Sequence, residues 1–183
     1  TKLSYNDMIK FTAQSLSNGK AVGWFQGRME FGPRALGSRS ILGDPRSKET
    51  QKTLNLKVKY RESFRPFAPS ILSEHVSKWF EYEKDSPYMT FVANVKNSIR
   101  KKLTKEEEKY VGIEKLKAQR SEIPAVTHVD FSSRIQTVHR DTNQIYYDLI
   151  DEFNRITGFP ILVNTSFNIR GEPIVCTPTD AFK

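Results

Sequence analysis

The sequence predicts a single α/β domain, because strand-like apolar runs alternate with amphipathic helical patterns along one chain. Its 183 residues are enough for one domain with a real hydrophobic core. Apolar residues make up 37% of the chain and aromatic residues 11%, which is ordinary for a soluble globular protein. No apolar run could span a bilayer, and no signal-peptide pattern occurs. A single cysteine suits a reducing compartment, so we expect a cytoplasmic protein without a membrane partner.

The first elements follow from capping residues and apolar spacing. Residues 4–18 are predicted to form a helix, because Ser4 can cap its start, apolar residues recur on one face and Gly19 ends it. Residues 21–26 are apolar and aromatic, which predicts a strand. A glycine-rich loop follows that strand.

The later elements are predicted from the same two periodicities. They are helices at 46–57 and 74–80, strands at 67–72, 89–95, 125–130 and 135–138, a helix from Thr142 or Asn143 to Thr157, a buried strand at 160–163 that runs into Asn164, and a helix beginning at 178–180.

Residues 97–122 form a segment rich in lysine and glutamate with few apolar anchors. Charge pairs at helical spacing allow a solvated helix, and a flexible surface insertion fits the same composition. The segment is assigned no chemistry, and both alternatives stay open.

Two cationic stretches suggest a site for a phosphorylated ligand. Residues 26–40 hold three glycines, a proline and three arginines, and residues 57–69 hold a second cluster of lysine and arginine. Glycine lets a backbone approach a ligand closely, and arginine offers a rigid fork of donors that matches phosphate or carboxylate oxygens. The alternative is a basic surface loop beside a strand.

The overall charge of +8 also invites a nucleic-acid interpretation. Much of the lysine lies in one polar segment, however, and no compact pattern of aromatic and basic residues occurs. An anionic small molecule therefore explains the arginines better than nucleic acid does.

Other reactive residue types are given structural roles. His128, Asp130 and His139 could ligate a metal, but His128 and Asp130 lie in a strand pattern and His139 lies well downstream, so no metal site is predicted. A structural role is favoured for His139, whereas both interpretations stay open for His128, which flanks the loop that holds Arg134. Cys176 lies in an apolar run, and we expect a buried structural thiol there.

Four runs of sequence then identify a family resemblance. GRMEFGPRALGSRSILGDPR, LNLKVKYRESFRPFAPSIL, THVDFSSRIQTV and GFPILVNTSFNIRGEPIV, in this order, strongly resemble the C-terminal domain of the nodulation-type O-carbamoyltransferases. That family includes enzymes that carbamoylate antibiotics and nodulation factors. The resemblance covers residues 1–183 except the charged segment at 97–122.

The resemblance implies a fold and a reaction. The fold expected is YrdC-like, with a twisted, open, mixed sheet, flanking helices and a basic concave face. Such a domain is expected to use carbamoyl phosphate and ATP, with Mg²⁺ on the nucleotide, to form carbamoyl-adenylate and pyrophosphate. An N-terminal actin-like ATPase-fold domain, absent from this chain and carrying iron or another metal, is expected to transfer the carbamoyl group to a hydroxyl acceptor.

The resemblance also implies a set of site residues, which are matched to this sequence motif by motif. Lys59, Arg65 and Arg134 are implied as catalytic contacts to phosphate and carbamate oxygens. Arg34, Asn164 and Ser166 are implied to bind substrate and nucleotide, and all six are expected to converge on one cleft. The alternative function is a non-catalytic module that binds nucleotide or RNA with the same basic cleft.

The sequence departs from the family pattern at two places. Ser38 stands where the family commonly has asparagine, and Phe131 stands where it commonly has glycine. Because Phe131 precedes the Arg134 motif, we expect this change to affect the geometry of the loop.

Overall fold

The computed structural model describes residues 2–182, apart from the side chains at positions 113 and 117. Six strands form one open mixed sheet in the order β1-β2-β6-β3-β5-β4. The strands are β1 Val22–Phe25, β2 Arg39–Gly43, β3 Ala68–Leu72, β4 Phe91–Asn94, β5 Ser132–Val138 and β6 Ile161–Ser166. The pair β3–β5 is parallel and every other neighbouring pair is antiparallel. The predicted single-domain α/β class is confirmed.

Helices flank this sheet. They are α1 Tyr5–Ser17, α2 Lys48–Thr53, α3 Val76–Trp79, α4 Gln144–Thr157 and α5 Pro178–Ala181. The predicted cap of α1 is confirmed, because the Ser4 hydroxyl accepts a hydrogen bond from the Asp7 amide at 3.2 Å. Asn143, rather than Thr142, caps α4 by accepting from the Tyr146 amide. Gly158 ends α4 in the left-handed conformation that favours glycine.

Two apolar clusters pack on the opposite faces of the sheet. Neighbouring residues of a strand point to opposite faces, and Ile161 belongs to one cluster while Leu162 belongs to the other. One cluster packs against α1 and α4 through Leu16 and Phe153. The other contains Phe80, as predicted. Strands β2 and β3 are therefore buried on both sides, whereas the edge strand β4 leaves Phe91 and Val92 exposed.

Three sequence predictions need correction. Residues 125–130 are not a strand, because Pro124–Val126 is a 3-10 helix that leads into a turn. The predicted helix at 46–57 is divided between α2 and a π-helical turn, Leu54–Val58. Strand β2 was not predicted, since its five buried residues follow directly on a glycine-rich loop.

The charged segment 97–122 is not one continuous helix. It holds three 3-10 helices, Asn97–Ile99, Glu107–Lys109 and Gly112–Lys117. A β-bridge between Arg100 and Ser121 brings its two ends together. The segment therefore leaves the body of the domain and returns to it at nearly the same place. Within residues 2–182, no helix combines the length and the hydropathy that a membrane span requires.

Candidate functional site

All six site residues implied by the sequence line one cavity of about 410 Å³, which we call the anion cavity. Its wall carries six basic side chains and a single carboxylate, Glu62. The basic residues are Arg34, Lys59, Arg61, Arg65, Arg134 and Arg170. The expected convergence is confirmed, although the roles of the residues stay predictions.

Four stretches of chain build the cavity. The loop between β1 and β2 supplies Arg34, and the segment that follows the π-helical turn supplies Lys59. Strand β5 supplies Arg134 near its start, and β6 supplies Asn164 and Ser166 at its carboxyl end. Polar residues at the carboxyl end of a strand are a usual place for ligands in α/β sheets.

The loop that carries Arg34 is folded around Glu30. One Glu30 carboxylate oxygen, Oε1, accepts hydrogen bonds from the amides of Leu36 at 2.8 Å and Ser38 at 2.6 Å. The buried Arg39 side chain ties down the other end of the loop by donating to the carbonyls of Gln26 and Ser38. The loop is therefore held by charged groups that do not reach the ligand space.

Gly37 lets this loop lie directly on α4. Its φ of 108° belongs to the region that favours glycine, and an added Cβ would lie 2.3 Å from the Tyr146 ring. The requirement for glycine here comes from both backbone conformation and packing.

Asn164 supports the same loop from below. Its Nδ2 donates to the Ala35 carbonyl at 3.1 Å, and its neighbour Gln136 donates to the Leu36 carbonyl at 2.8 Å. Asn164 is almost fully buried, and its Oδ1 has no hydrogen-bond partner within residues 2–182. The side chain thus positions the loop, and its Oδ1 is a buried acceptor without a partner among the described residues.

Lys59 is held tightly by the end of β6. Its Nζ contacts the Ser166 carbonyl at 2.6 Å, the Ser166 Oγ at 3.2 Å, the Asn168 carbonyl at 2.9 Å and the Asn168 Oδ1 at 2.8 Å. An ammonium has three donors, so these four acceptors occupy all of them. Burial, and then the charge of Arg61, lower the pKa of Lys59 to about 8.

Arg34 and Arg134 are in the opposite situation. In the described part of the chain, neither guanidinium has a hydrogen bond or an ion pair, and the Nε of Arg134 is buried without an acceptor. Burial, and then the nearby charge of Arg34, lower the pKa of Arg134. Two neighbouring cations with unused donors are suited to an anionic oxygen.

The remaining arginines are partly engaged. Arg65 pairs with Glu62 at 3.0 Å. Arg61 donates to the Asn55 Oδ1 at 2.6 Å, and Arg170 donates to the Tyr60 carbonyl at 2.8 Å. Each keeps further donors on its guanidinium.

Sequence reasoning missed Arg61, Asn168 and Arg170. Arg61 was visible, because it lies two residues from Lys59 in the same cationic run. Asn168 and Arg170 follow Ser166 closely, so the run after β6 was the available signal.

The residues given structural roles are placed as follows. His139 pairs with Asp85 at 3.0 Å. Within residues 2–182, no group of three or more His, Cys, Asp or Glu side chains could hold a metal ion. The expectation for Cys176 was wrong, because its side chain is exposed. Its apolar neighbours belong to an irregular surface segment instead of a buried strand.

The two departures from the family pattern have different consequences. The amide and carbonyl of Ser38 make its contacts in the loop, so the side chain there can vary. Phe131 has a φ of 65°, which is strained for a residue with a Cβ. The Arg100 guanidinium lies 4.6 Å from the centre of the Phe131 ring, so the charged segment covers this turn.

The sequence model of the family described as "Carbamoyltransferase C-terminus" matches residues 13–183. The chain is 59% identical over 180 residues to the uncharacterized protein sll1178 of Synechocystis, an alignment covering 98% of the chain and 29% of that protein. It is 44% identical over 179 residues to nodulation protein NolO of Bradyrhizobium diazoefficiens, with 96% and 29% covered.

A third relative has a more informative name. The chain is 36% identical over 166 residues to a 3'-hydroxymethylcephem-O-carbamoyltransferase of Amycolatopsis lactamdurans, with 91% of the chain and 28% of that protein covered. The chain therefore spans less than a third of the length of each of these relatives.

Proposed function

Because the chain belongs to the carbamoyltransferase C-terminal family, we propose that its anion cavity binds ATP and carbamoyl phosphate and forms carbamoyl-adenylate. The observation that carries this proposal is the imbalance of charge, since six basic side chains surround a cavity with one carboxylate. A triphosphate and a carbamate together bring many anionic oxygens. Fixed cations also stabilise the charge that develops during phosphoryl-type transfer.

The proposed reaction needs no nucleophile from the protein. Carbamoyl phosphate gives up its phosphate to water and leaves carbamate. A carbamate oxygen then attacks the α-phosphorus of ATP, and the bond from that phosphorus to the bridging oxygen breaks. The products are carbamoyl-adenylate, pyrophosphate and phosphate.

The roles we propose follow from which donors are free. Arg34 and Arg134 have unused donors for the phosphate chain, and Arg65 can divide its fork between Glu62 and a ligand. Lys59 and Ser166 contribute after their contacts with each other loosen. Glu62, the one carboxylate in the described wall, is paired with Arg65, so Mg²⁺ fits best as an ion that arrives on the phosphate oxygens.

The fate of the carbamoyl group is a further part of the proposal. One relative is named an O-carbamoyltransferase, which supports a hydroxyl acceptor. We assign that transfer to an N-terminal actin-like ATPase-fold domain that carries a metal. Attack by a hydroxyl requires a group that takes up its proton, and the anion cavity is lined by cations instead.

A pyrophosphate-release assay tests the proposal. The chain is incubated with ATP and Mg²⁺, with and without carbamoyl phosphate, beside Arg134→Ala and Arg155→Ala. Arg155 is an exposed arginine on α4 that pairs with Glu152, so its loss removes the same charge away from the cavity. We expect release that depends on carbamoyl phosphate, lost in Arg134→Ala and kept in Arg155→Ala. ATP binding without any release would favour the non-catalytic alternative, a module that binds nucleotide or RNA.

A further inference from the structure

Lys59 is the one lysine in the described wall of the anion cavity. The other basic residues there are five arginines, which keep their protons and so offer no lone pair for attack on a ligand. A lysine amine, in contrast, becomes a nucleophile once it has lost its proton. Burial, and then the charge of Arg61, lower the pKa of Lys59 to about 8, so about a tenth of the amine carries no extra proton at pH 7.

Carbamoyl phosphate, the substrate proposed for this cavity, is an electrophile. It is a mixed anhydride, so an amine can attack its carbonyl carbon and phosphate can leave. Arg34 and Arg134, which have no acceptor in the described chain, are suited to hold that phosphate. The amine and the electrophile therefore share one cavity of about 410 Å³.

We propose that Lys59 is a modification site, which bound carbamoyl phosphate carbamoylates directly, and that oxygens of Ser166 and Asn168 hold this reaction back. The inference rests on the proposed function. In the reaction, the Lys59 nitrogen forms a bond to the carbonyl carbon, and the bond from that carbon to the bridging oxygen breaks. Phosphate leaves with the electron pair and takes one proton of the amine. The products are a neutral urea group on the side chain and hydrogen phosphate.

The end of β6 surrounds the amine with four oxygens. Two belong to Ser166 and two to Asn168, at 2.6 to 3.2 Å from Nζ. Burial favours the neutral amine, but these acceptors favour the ammonium, which has three N–H donors and no lone pair. The Ser166 hydroxyl also donates to the Asn168 Oδ1 at 2.6 Å, so the two side chains support each other. Lys59 must leave these oxygens before it can attack a ligand.

Carbamoylation of Lys59 would oppose the proposed function. The modified side chain is neutral and larger than the amine, so the cavity loses one of its six cations and the contacts with β6 no longer fit. The polar side chains at the end of β6 thus protect the cavity from its own substrate.

The test measures modification by peptide mass spectrometry in the absence of ATP. The unchanged chain, Asn168→Ala and Ser166→Ala are incubated at pH 7 with carbamoyl phosphate or with cyanate, a carbamoylating reagent without a phosphate group. Modification of Lys59 is divided by that of Lys10, an exposed lysine on α1. Asn94→Ala is the matched control, because it removes an exposed asparagine on the distant edge strand β4.

With carbamoyl phosphate, we expect Asn168→Ala to raise this ratio at least about fivefold, because Lys59 loses a hydrogen bond to its charged group. Ser166→Ala should raise it in the same direction, and Asn94→Ala should leave it unchanged. In Asn168→Ala the ratio should also be higher with carbamoyl phosphate than with cyanate, since the arginines bring only the phosphate compound to the amine.

An unchanged ratio in both cavity variants would overturn the inference. Equal ratios with the two reagents would overturn it as well, because free reagent in solution would then explain the modification. The pyrophosphate-release assay of the unchanged chain is run in parallel. Release that depends on carbamoyl phosphate would leave the proposed function standing in either case, whereas a folded chain without release would count against that function.

Discussion

Two sides of the anion cavity hold their cations in opposite ways. On one side, all the N–H donors of Lys59 are hydrogen-bonded to oxygens of Ser166 and Asn168. On the other side, Arg34 and Arg134 lie close together without an acceptor in the described chain. The arginine side is therefore ready to bind an anion, whereas the lysine side must first release contacts that it already has.

The contrast also concerns stability. A buried lysine without contacts would be costly, and the oxygens at the end of β6 offset that cost. Two neighbouring guanidiniums repel each other, so they contribute to binding at some expense to the fold. The same cavity thus contains one cluster that stabilises the protein and one that a ligand would stabilise.

The largest expected effect comes from removing Arg134, one of the two arginines without an acceptor in the described chain. A hydrogen bond to a charged group contributes about 1.5–3 kcal/mol, so Arg134→Ala should lower the affinity for ATP by about 10- to 150-fold. Its unfolding free energy should not fall, because repulsion with Arg34 is relieved. Calorimetry and urea denaturation measure the two quantities, with Arg155→Ala as the control for lost charge. Equal effects of both substitutions on ATP would show that only the overall charge matters.

A change at Asn168 should affect the lysine side. Asn168→Asp is nearly isosteric and replaces the neutral Oδ1, which lies 2.8 Å from the Lys59 Nζ, with a carboxylate oxygen, while the exposed hydrogen bond that the Asn168 Nδ2 donates to the Glu172 carbonyl is lost. We expect a higher melting temperature, because the ammonium is then paired internally. For the same reason we expect the affinity for ATP to fall about tenfold. A gain in stability combined with a loss of ATP affinity would show that Lys59 must release its internal contacts in order to bind the ligand. A parallel loss of both would mean that Asn168 serves the ligand directly.

The pH dependence of binding sharpens the comparison. Since the pKa of Lys59 is lowered to about 8, ATP affinity should fall severalfold between pH 7.5 and pH 9.5 as the ammonium loses its proton. Lys59→Met should remove this dependence, and Arg134→Ala should keep it. A pH profile unchanged in Lys59→Met would assign the titration to another group.

The stability of the chain should change with the opposite sign over a related range. The folded pKa of Lys59 lies below its ordinary value of 10.5, so the unfolded chain binds more protons between about pH 8 and pH 10.5. The unfolding free energy contributed by this group therefore rises with pH in that window. Urea denaturation of the unchanged chain and Lys59→Met at several pH values gives the difference.

The smallest effect is expected at Phe131, just before the strand that carries Arg134. Phe131→Gly should change the unfolding free energy by no more than about 1 kcal/mol, because relief of the left-handed backbone is offset by loss of the Arg100 contact. ATP affinity should not change. A large loss of affinity would show that the turn sets the position of Arg134.

Much of the fold was accessible from local sequence signals. The ends of α1 and α4 were predicted because Ser4 and Gly158 act within a few residues of their own helices. The strand β2 was missed because its apolar run is short and follows loop residues. The false strand at 125–130 has β-like composition, but Ala125 and the turn at Phe131 are held by contacts with distant segments.

The site, like the fold, could be predicted only in part from local sequence signals. Motif positions were enough to choose six residues that meet in one cavity. The state of each side chain could not be predicted, because the partners of Lys59 lie 107 and 109 residues away in sequence. The role of Asn164 as a support for the Arg34 loop likewise depends on a contact across 129 residues. Such contacts exist only after the sheet has formed.

The central claim is that this cavity joins a carbamoyl group to the α-phosphate of ATP. The most direct measurement supplies carbon-labelled carbamoyl phosphate, ATP and Mg²⁺ and follows the products by mass spectrometry. We predict a labelled adenylate that forms with pyrophosphate, requires both substrates and disappears in Arg134→Ala but not in Arg155→Ala. Turnover of ATP that ignores carbamoyl phosphate, or no labelled adenylate from a folded chain that binds both substrates, would contradict the account.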